Sequence, residues 1–203
     1  ALEQLAASGP GPFNINFFCH RQSEPDPAEE QRWREALAPY YAEFGLDARA
    51  VTTAPGRAPF NAEHAAMLGE FRPAVVSFHF GLPAPELLAR VKATGASVFA
   101  SATTVAEAQW LARHGADAII AQGLEAGGHR GHFLNQDLSL QQGTFTLLPQ
   151  IVAAVDLPII AAGGIVDGKG IKAALALGAS AVQMGTAFLC CHEATTSPLH
   201  RAA

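Results

Sequence analysis

The sequence predicts an α/β fold of the (β/α)8 TIM-barrel type. Short apolar runs alternate with helical patterns, as in parallel strands joined by helices. A glycine-alanine pair joins a helical pattern to an apolar run at Gly95-Ala96, Gly115-Ala116 and Gly178-Ala179, and glycine supplies the left-handed turn that ends a helix. Glycine-rich loops follow the last three runs, where barrels commonly bind phosphate, and the Gly-x-Gly-x-x-Gly turn of an open doubly wound sheet is missing. These features favour a barrel over the open sheet.

The predicted strands are short and nearly continuous in apolar character. From first to last they are Phe13–Phe18, Ala74–Phe80, Ala96–Ser101, Asp117–Gln122, Pro158–Ala161 and Ser180–Met184. Most of them contain few polar residues, which is typical of parallel strands covered on both faces.

The helices between the strands begin at recognisable signals. Asp26 precedes a proline and a glutamate in an N-terminal helix signal, and Thr104 with Glu107 forms the pattern of a capping box. Asp167 is placed to cap a helix that ends at Gly178. Repeated βα units are therefore expected along most of the chain.

The length of the chain limits how much of a barrel it can contain. A complete barrel of this type has eight strands in about 250 residues, whereas this chain has 203 residues and begins in a helical pattern. We expect residues 1–203 to form one barrel domain with strands three to eight, without the first two βα units. An irregular insertion is expected near residues 46–70, with a weak strand at Ala50–Thr53 and a helix at Ala62–Leu68.

Composition narrows the class of ligand. The chain is 49% hydrophobic and 15% charged, with a formal net charge of -5 and no cluster of basic residues, which argues against nucleic-acid and membrane-surface partners. It has no apolar run of about 18 residues and no signal-peptide pattern, so a cytoplasmic location is expected. The three cysteines have no disulfide or metal-ligand spacing. A small-molecule ligand is predicted.

Two glycine turns follow the last two predicted strands. Gly163 and Gly164 follow one strand, and Gly185 and Thr186 follow the next. Loops after neighbouring parallel strands lie side by side, and backbone N–H groups of glycine turns bind anions, with the N-terminus of the following helix adding positive charge. The pair of turns predicts a phosphate site, although each glycine alone could serve only to turn the chain.

The preceding loop, in the stretch AQGLEAGGHRGHF, carries a candidate acid or base. His129 follows Gly127 and Gly128, which allow a flat group to approach the backbone. An imidazole can exchange a proton near neutral pH, so His129 is the predicted catalytic residue. His132 is close in sequence, but no third ligand with metal-site spacing accompanies the two histidines, so no metal site is predicted. Arg130 could hold an anionic substrate or form an ion pair at the rim.

Three segments resemble the nitronate monooxygenases, formerly called 2-nitropropane dioxygenases. These are Gln122–Gly131, Ala161–Ile165 and Gln183–Phe188. The resemblance extends over nearly the whole chain and implies FMN bound at the mouth of a barrel. It matches His129 to the family's active-site histidine. It places the following residues at the cofactor: Asn16, Gln122 and Gly127 near the flavin, Gly163 and Gly164 near the phosphate, and Gln183, Met184, Gly185 and Thr186 around them.

The implied reaction is oxidation of an alkyl nitronate, such as propionate 3-nitronate, by dioxygen to a carbonyl compound and nitrite. The alternatives on the same scaffold are an FMN-dependent enoyl-acyl-carrier-protein reductase and an NADH:quinone reductase. A barrel that binds a phosphate ligand without catalysis is a further alternative. The sequence leaves the oligomeric state open.

Overall fold

The structure is a computed structural model that describes residues 3, 9, 11–22, 26–47, 50 and 56–202. Its contacts divide the chain into two compact units. One unit comprises the residues up to His20 and from Phe60 onward, and the smaller unit is Arg21–Pro59. The first unit contains the sheet described below.

Six parallel strands form one sheet in which each strand pairs with the next along the chain. Their bounds are Asn14–Phe18 (β1), Val75–His79 (β2), Ser97–Ala102 (β3), Ala118–Gln122 (β4), Ile159–Ala162 (β5) and Ala181–Gln183 (β6). All six predicted strands are confirmed, with ends that differ by at most one residue. The order runs without the reversal that defines an open doubly wound sheet, so the predicted barrel topology is confirmed.

Helices connect the strands. They are Pro27–Glu43 (α1), Ala62–Phe71 (α2), Pro85–Ala93 (α3), Val105–Arg113 (α4), Thr144–Ala154 (α5), Gly168–Ala176 (α6) and Pro198–Ala202 (α7), with 3-10 turns at Leu138–Leu140 and Thr186–Phe188. Within the described residues no helix combines the length and apolar character required to span a membrane. The helix expected at Ala62–Leu68 is present and extends three residues further. The weak strand expected at Ala50–Thr53 lies, apart from its first residue, outside the described residues.

Most of the predicted helix signals are confirmed. The Asp26 carboxylate accepts a hydrogen bond from the Ala28 N–H at 2.9 Å, and Asp167 accepts from the second and third backbone N–H groups of its helix, that of Gly170 at 2.9 Å. Thr104 accepts from the Glu107 N–H at 3.2 Å, but the Glu107 side chain turns away from it. The capping box predicted there is therefore only half formed.

The predicted glycine joints have the conformation that only glycine adopts readily. The φ angles are 88° at Gly95, 104° at Gly115 and 98° at Gly178. At Gly178 an added Cβ would lie 2.8 Å from a side-chain carbon of Val152. These turns let each helix return directly to the next strand.

The sheet has one apolar face and one partly polar face. Side chains alternate between the two faces along each strand. Phe78, Val98 and Ile119 belong to the face that forms a single buried core with helices α2 to α6. The other face carries polar side chains, from Asn14, Asn16, Ser77, His79, Ser101, Gln122 and Gln183.

The central strands are buried on both faces, as expected, but the second face also carries buried polar side chains from Ser77, Ser101 and Gln122. The helical core lies on one side of the sheet, as in a barrel, where the other side faces the interior. One or two polar residues in each short strand are enough to make the face of the sheet away from the helices partly polar.

Candidate functional site

A cavity of about 610 Å3 opens at the carboxyl ends of the strands. The last residues of successive strands line it, among them His79, Gln122 and Gln183, together with the loops that follow β4, β5 and β6. Its volume lies within the range of small-molecule and cofactor sites, about 300–1,000 Å3. The carboxyl ends of the strands are also where barrel proteins place their active sites.

The structure brings most of the residues predicted from the sequence to this cavity. Those that line it are Gln122, Gly127, Gly163, Gly164, Gln183, Gly185 and Thr186. His129, Asn16 and Met184 are not among the residues that line it. The loops after three consecutive strands therefore meet around one space, as the sequence predicted.

The Gly163-Gly164 turn requires glycine for two reasons. The φ angles are 127° and 66°, in the left-handed region. An added Cβ on Gly163 would lie 2.5 Å from the Thr144 hydroxyl and 2.9 Å from the Ala126 backbone nitrogen. The turn is thus packed against the neighbouring loop and presents backbone rather than side chain to the cavity.

The third glycine turn has more open space. An added Cβ on Gly185 would meet no atom within 4 Å, whereas one on Gly127 would approach the Thr186 hydroxyl to 3.0 Å. The 3-10 turn that begins after Gly185 has no side-chain cap. At the N-terminus of α6, the Asp167 carboxylate accepts from the N–H groups of Lys169 and Gly170, and the contribution of that terminus to anion binding stays a prediction.

Gln122 fixes the shape of the loop that contains His129. Its side-chain N–H donates to the His129 carbonyl at 2.9 Å, and its side-chain oxygen accepts from the Gly131 N–H at 2.7 Å. Because Gln122 ends β4, the sheet itself orients the loop through this amide. This contact adds a positioning role to the flavin contact that the resemblance implies.

His129 is exposed and directly follows Gly128, which lines the cavity. Its ring centroid is 4.9 Å from that of Phe18 and 6.0 Å from that of Phe80. Phe80 has a left-handed backbone, with φ 66°, which is uncommon for a bulky residue. The aromatic rings give His129 a fixed apolar neighbour on one side.

His79, the last residue of β2, faces the cavity. Its Nδ1 lies 2.7 Å from the Ser101 hydroxyl, and its ring stacks on Phe18 at 5.9 Å. Burial lowers the pKa of His79, and the charge of His129 lowers it further, against the raising effect of a backbone hydrogen bond at Phe78. The neutral imidazole is therefore favoured in the folded protein.

Glu125 joins the β4 loop to the first turn of α5. Its carboxylate accepts from the Thr144 N–H at 2.8 Å and from the Thr144 hydroxyl at 2.9 Å. Burial would raise the pKa of Glu125, but the hydrogen bonds from the backbone, the hydroxyl of Thr144 and the charge of Arg130 together hold it below its usual range. The ionised carboxylate is held in a fixed contact, which does not favour a role as a base.

Arg130 stabilises the loop from within. Its guanidinium donates to the carbonyls of Gly123 at 2.6 Å and Leu124 at 2.7 Å, with a longer contact to Ala126 at 3.4 Å. These contacts give Arg130 a role in holding the loop backbone, and its predicted contact with an anionic substrate stays a prediction.

Asn16, Met184 and His132, which the sequence analysis also considered, make contacts outside the cavity. Ser77 donates to the Asn16 side-chain oxygen at 2.9 Å and accepts from Asn14 at 2.8 Å. Met184 packs against the hydrophobic core instead of lining the cavity. The ring of His132 contacts the Gln136 side chain at 3.1 Å. The described part of the chain contains no cluster of three or more His, Cys, Asp or Glu side chains that could hold a metal ion.

Sequence reasoning missed the residues that fasten the loops together. Thr144 is buried and contacts both Glu125 and the Gly163 carbonyl, the latter at 3.0 Å. No local pattern marks this threonine, since its partners are 19 residues away on each side. Ser101 could have been found from its place at the end of a predicted strand.

Fold and site together define a TIM-barrel-type protein with a small-molecule site at the carboxyl ends of its strands. The nitronate monooxygenase family model matches residues 1–203. The chain is 46% identical to a nitronate monooxygenase of Pseudomonas aeruginosa over 95% of its own length and 55% of that protein's. It is also 46% identical to one of Paraburkholderia phytofirmans, over 95% of this chain and 53% of the relative. The chain belongs to the nitronate monooxygenase family.

Solved structures agree with this assignment. A nitroalkane oxidase from Streptomyces ansochromogenes superposes with a TM-score of 0.79 at 37% identity, over 93% of this chain and 53% of that one. A FabK variant from Thermotoga maritima superposes with a TM-score of 0.69 at 29% identity, over 100% of this chain and 53% of that one. The chain thus spans about half the length of the relatives it matches.

Proposed function

We propose that the protein oxidises alkyl nitronates with dioxygen, using FMN, to a carbonyl compound and nitrite. The single observation that carries the proposal is the convergence of three loops from consecutive strands on one cavity, each with the glycines of the family motifs. Family membership supports the reaction class. Propionate 3-nitronate is the substrate that we propose.

The residues present fit a mononucleotide. Backbone at Gly163, Gly164 and Gly185 borders the cavity, where N–H groups can contact a phosphate, and the Thr186 hydroxyl lies beside them. Among the described lining residues none is lysine or arginine, so hydrogen bonds instead of an ion pair would hold the phosphate. A side chain on Gly163 would disrupt this arrangement, because it would collide with Thr144 and Ala126.

The flavin, when bound, supplies the redox chemistry and the contact with dioxygen. The protein supplies binding, orientation and proton control. Gln122 holds the His129 carbonyl and the Gly131 N–H, which fixes the backbone that carries the His129 imidazole, directly after Gly128 in the wall of the cavity. From there His129 can take a proton from a neutral nitroalkane or, when protonated, offset the negative charge of a nitronate.

His79 contributes a second, neutral imidazole to the wall of the cavity. Its Nδ1 is engaged with Ser101 at 2.7 Å, which leaves Nε2 as the nitrogen available to a ligand. Burial and the charge of His129 lower the pKa of His79, which favours the neutral form of this ring. We propose that proton transfer is therefore confined to His129.

Anaerobic mixing tests the reaction. Addition of propionate 3-nitronate to the FMN-loaded protein without air should bleach the flavin absorbance, and readmission of air should restore it and release nitrite. Bleaching that requires NADH or NADPH would instead support one of the two reductases. A protein that does not take up FMN would contradict the proposal.

A substitution at His129 tests its role. His129→Asn should retain FMN and lose about 10²-fold or more of its turnover of neutral nitroalkanes, as expected for loss of a general base. Preformed nitronates should be affected less, since they need no deprotonation. His132→Asn, in the same loop, is the matched control and should remain active.

We propose a cytoplasmic location as well, in keeping with the composition. Cell fractionation tests this location: the protein, followed by its flavin absorbance, should be recovered in the cytoplasmic fraction.

A further inference from the structure

A carboxylate that has no cationic partner among the described residues is buried against the loop that follows His129. Glu107 lies in the first turn of α4 and is 1% exposed. The ion pairs among the described residues do not include it. Burying a carboxylate is costly unless hydrogen bonds satisfy it, so its partners show what it stabilises.

The two oxygens of Glu107 bind two different segments. Oε2 accepts from the Thr103 N–H and from the Thr103 hydroxyl, both at 2.8 Å. Oε1 accepts from the Phe133 N–H at 2.7 Å and from the Leu134 N–H at 3.2 Å. The carboxylate thus joins the end of β3 to the loop that leaves His129.

All four partners donate, so the position requires a group that only accepts. An ionised carboxylate meets this requirement, whereas a carboxamide presents an N–H on one side. With glutamine at position 107, that N–H would face either the donors of Thr103 or those of Phe133 and Leu134. One of the two segments would lose its acceptors in either orientation.

Other side chains also hold the loop of residues 129–134, next to its contact with Glu107. Gln122 holds the backbone of His129 and Gly131. The Phe133 ring contacts Trp110, with ring centroids 5.2 Å apart, and lies against Gly81, where an added Cβ would approach it to 3.2 Å. Residues 129–134 are therefore held by side chains from the sheet and from α4.

We propose that Glu107 is a positioning residue for His129. It acts through its hydrogen bonds to the backbone of Phe133 and Leu134. The assignment of a catalytic role to His129 rests on the proposed function, but the positioning of its imidazole can be measured without catalysis. Catalytic groups must be held within a few tenths of an ångström of their working geometry, and neighbouring residues commonly provide that support.

Glu107→Gln tests the contact directly. Amide hydrogen exchange of Phe133 and Leu134 should accelerate by about tenfold or more, as expected when a hydrogen bond to a charged group is lost. The imidazole resonance of His129, assigned by its loss in His129→Gln, should shift and broaden in the NMR spectrum. Unchanged exchange at both amides, or accelerated exchange with an unchanged His129 resonance, would overturn the proposal.

Activity gives an independent measurement. In the FMN-loaded protein, Glu107→Gln should lower kcat for nitroalkanes by about tenfold to a hundredfold with little change in KM, since a misplaced group affects the chemical step. An unchanged kcat would overturn the proposal. If the unsubstituted protein shows no nitronate oxidation, the proposed function fails, while the exchange and the His129 resonance still decide the role of Glu107.

Two further variants separate positioning from stability. Thr103→Val removes a donor to the same carboxylate on the side away from the loop, and it should lower thermal stability without changing the His129 resonance or kcat. Glu107→Asp keeps a group that only accepts but shortens it, so it should give the same changes as Glu107→Gln to a smaller degree. If Glu107→Gln does not fold, the same measurements are made on Glu107→Asp.

Discussion

At the residue scale, the site depends on positions where a side chain is either impossible or required. Gly163 has no room for a Cβ, whereas Gly185 has open space on the same side. The surroundings of His79, burial first, lower its pKa. These positions can be tested one at a time.

Gly163→Ala and Gly185→Ala should have different consequences. The first places a Cβ 2.5 Å from the Thr144 hydroxyl at a φ of 127°, so it should lower the free energy of unfolding by about 1–3 kcal/mol. The second meets no protein atom within 4 Å, so it should preserve stability and weaken FMN binding. Urea unfolding and flavin titration measure the two effects. Equal stability of the two variants would contradict the structure.

His79 should make stability depend on pH. Burial and the charge of His129 lower the pKa of His79 in the folded state. In the unfolded chain a histidine has its ordinary pKa of about 6.5. The unfolded state therefore binds more protons below that pH, and the free energy of unfolding falls as the pH is lowered.

Urea unfolding at neutral and mildly acidic pH measures this dependence. His79→Gln should reduce the loss of stability on acidification, and His192→Gln, at an exposed position, should leave it unchanged. If both variants follow the pH profile of the unsubstituted protein, burial does not control the protonation of His79.

At the element scale, the first turn of α5 holds two loops of the site together. The Thr144 hydroxyl donates to Glu125 at 2.9 Å and lies 3.0 Å from the Gly163 carbonyl. A side chain on Gly123 would overlap the backbone of Thr144. The helix thus begins where the β4 and β5 loops meet, and its position sets the spacing between them.

Thr144→Val should separate these two loops. The change removes a buried hydroxyl while keeping the shape of the side chain, so the free energy of unfolding should fall by about 1–3 kcal/mol. FMN affinity should fall with it, because the Gly163 turn loses its support. Thr146→Val, at an exposed position on the same helix, is the matched control. Similar losses in both variants would show that the hydroxyl has no special role.

At the scale of the whole sheet, burial is greatest in the centre and least at β6. Every residue of β4 is buried, whereas no residue of β6 is. Of the described strands, β1 and β6 pair on one side only. Local opening is therefore expected to differ along the sheet.

Amide hydrogen exchange should follow this gradient. The amides of Ile119 and Ile120 should exchange most slowly and that of Val182 much faster, because opening at β6 exposes fewer buried contacts. Addition of FMN should slow exchange at Val182 and in the adjoining turn, since a ligand that binds only the folded form stabilises it. Equal protection in β4 and β6 without FMN would contradict the gradient.

The sequence alone was sufficient to predict the succession of six parallel strands and the three glycine turns that line the cavity. These features are local, because apolar runs, helix caps and left-handed glycines are determined by neighbouring residues. Loops after consecutive parallel strands must then lie on one side, so the meeting of Gly127, Gly163 and Gly185 followed from topology.

Only the tertiary structure decided which hydrogen bonds hold the loops of the site together. Glu107 looked like a helix cap but bonds to Phe133 and Leu134, 26 and 27 residues away, and Thr144 carried no signal. Met184, which was predicted at the cofactor, packs against the core, because it directly follows β6 and alternation turns it to the opposite face from Gln183. Hydrogen bonds between distant segments depend on distances that a local pattern does not contain.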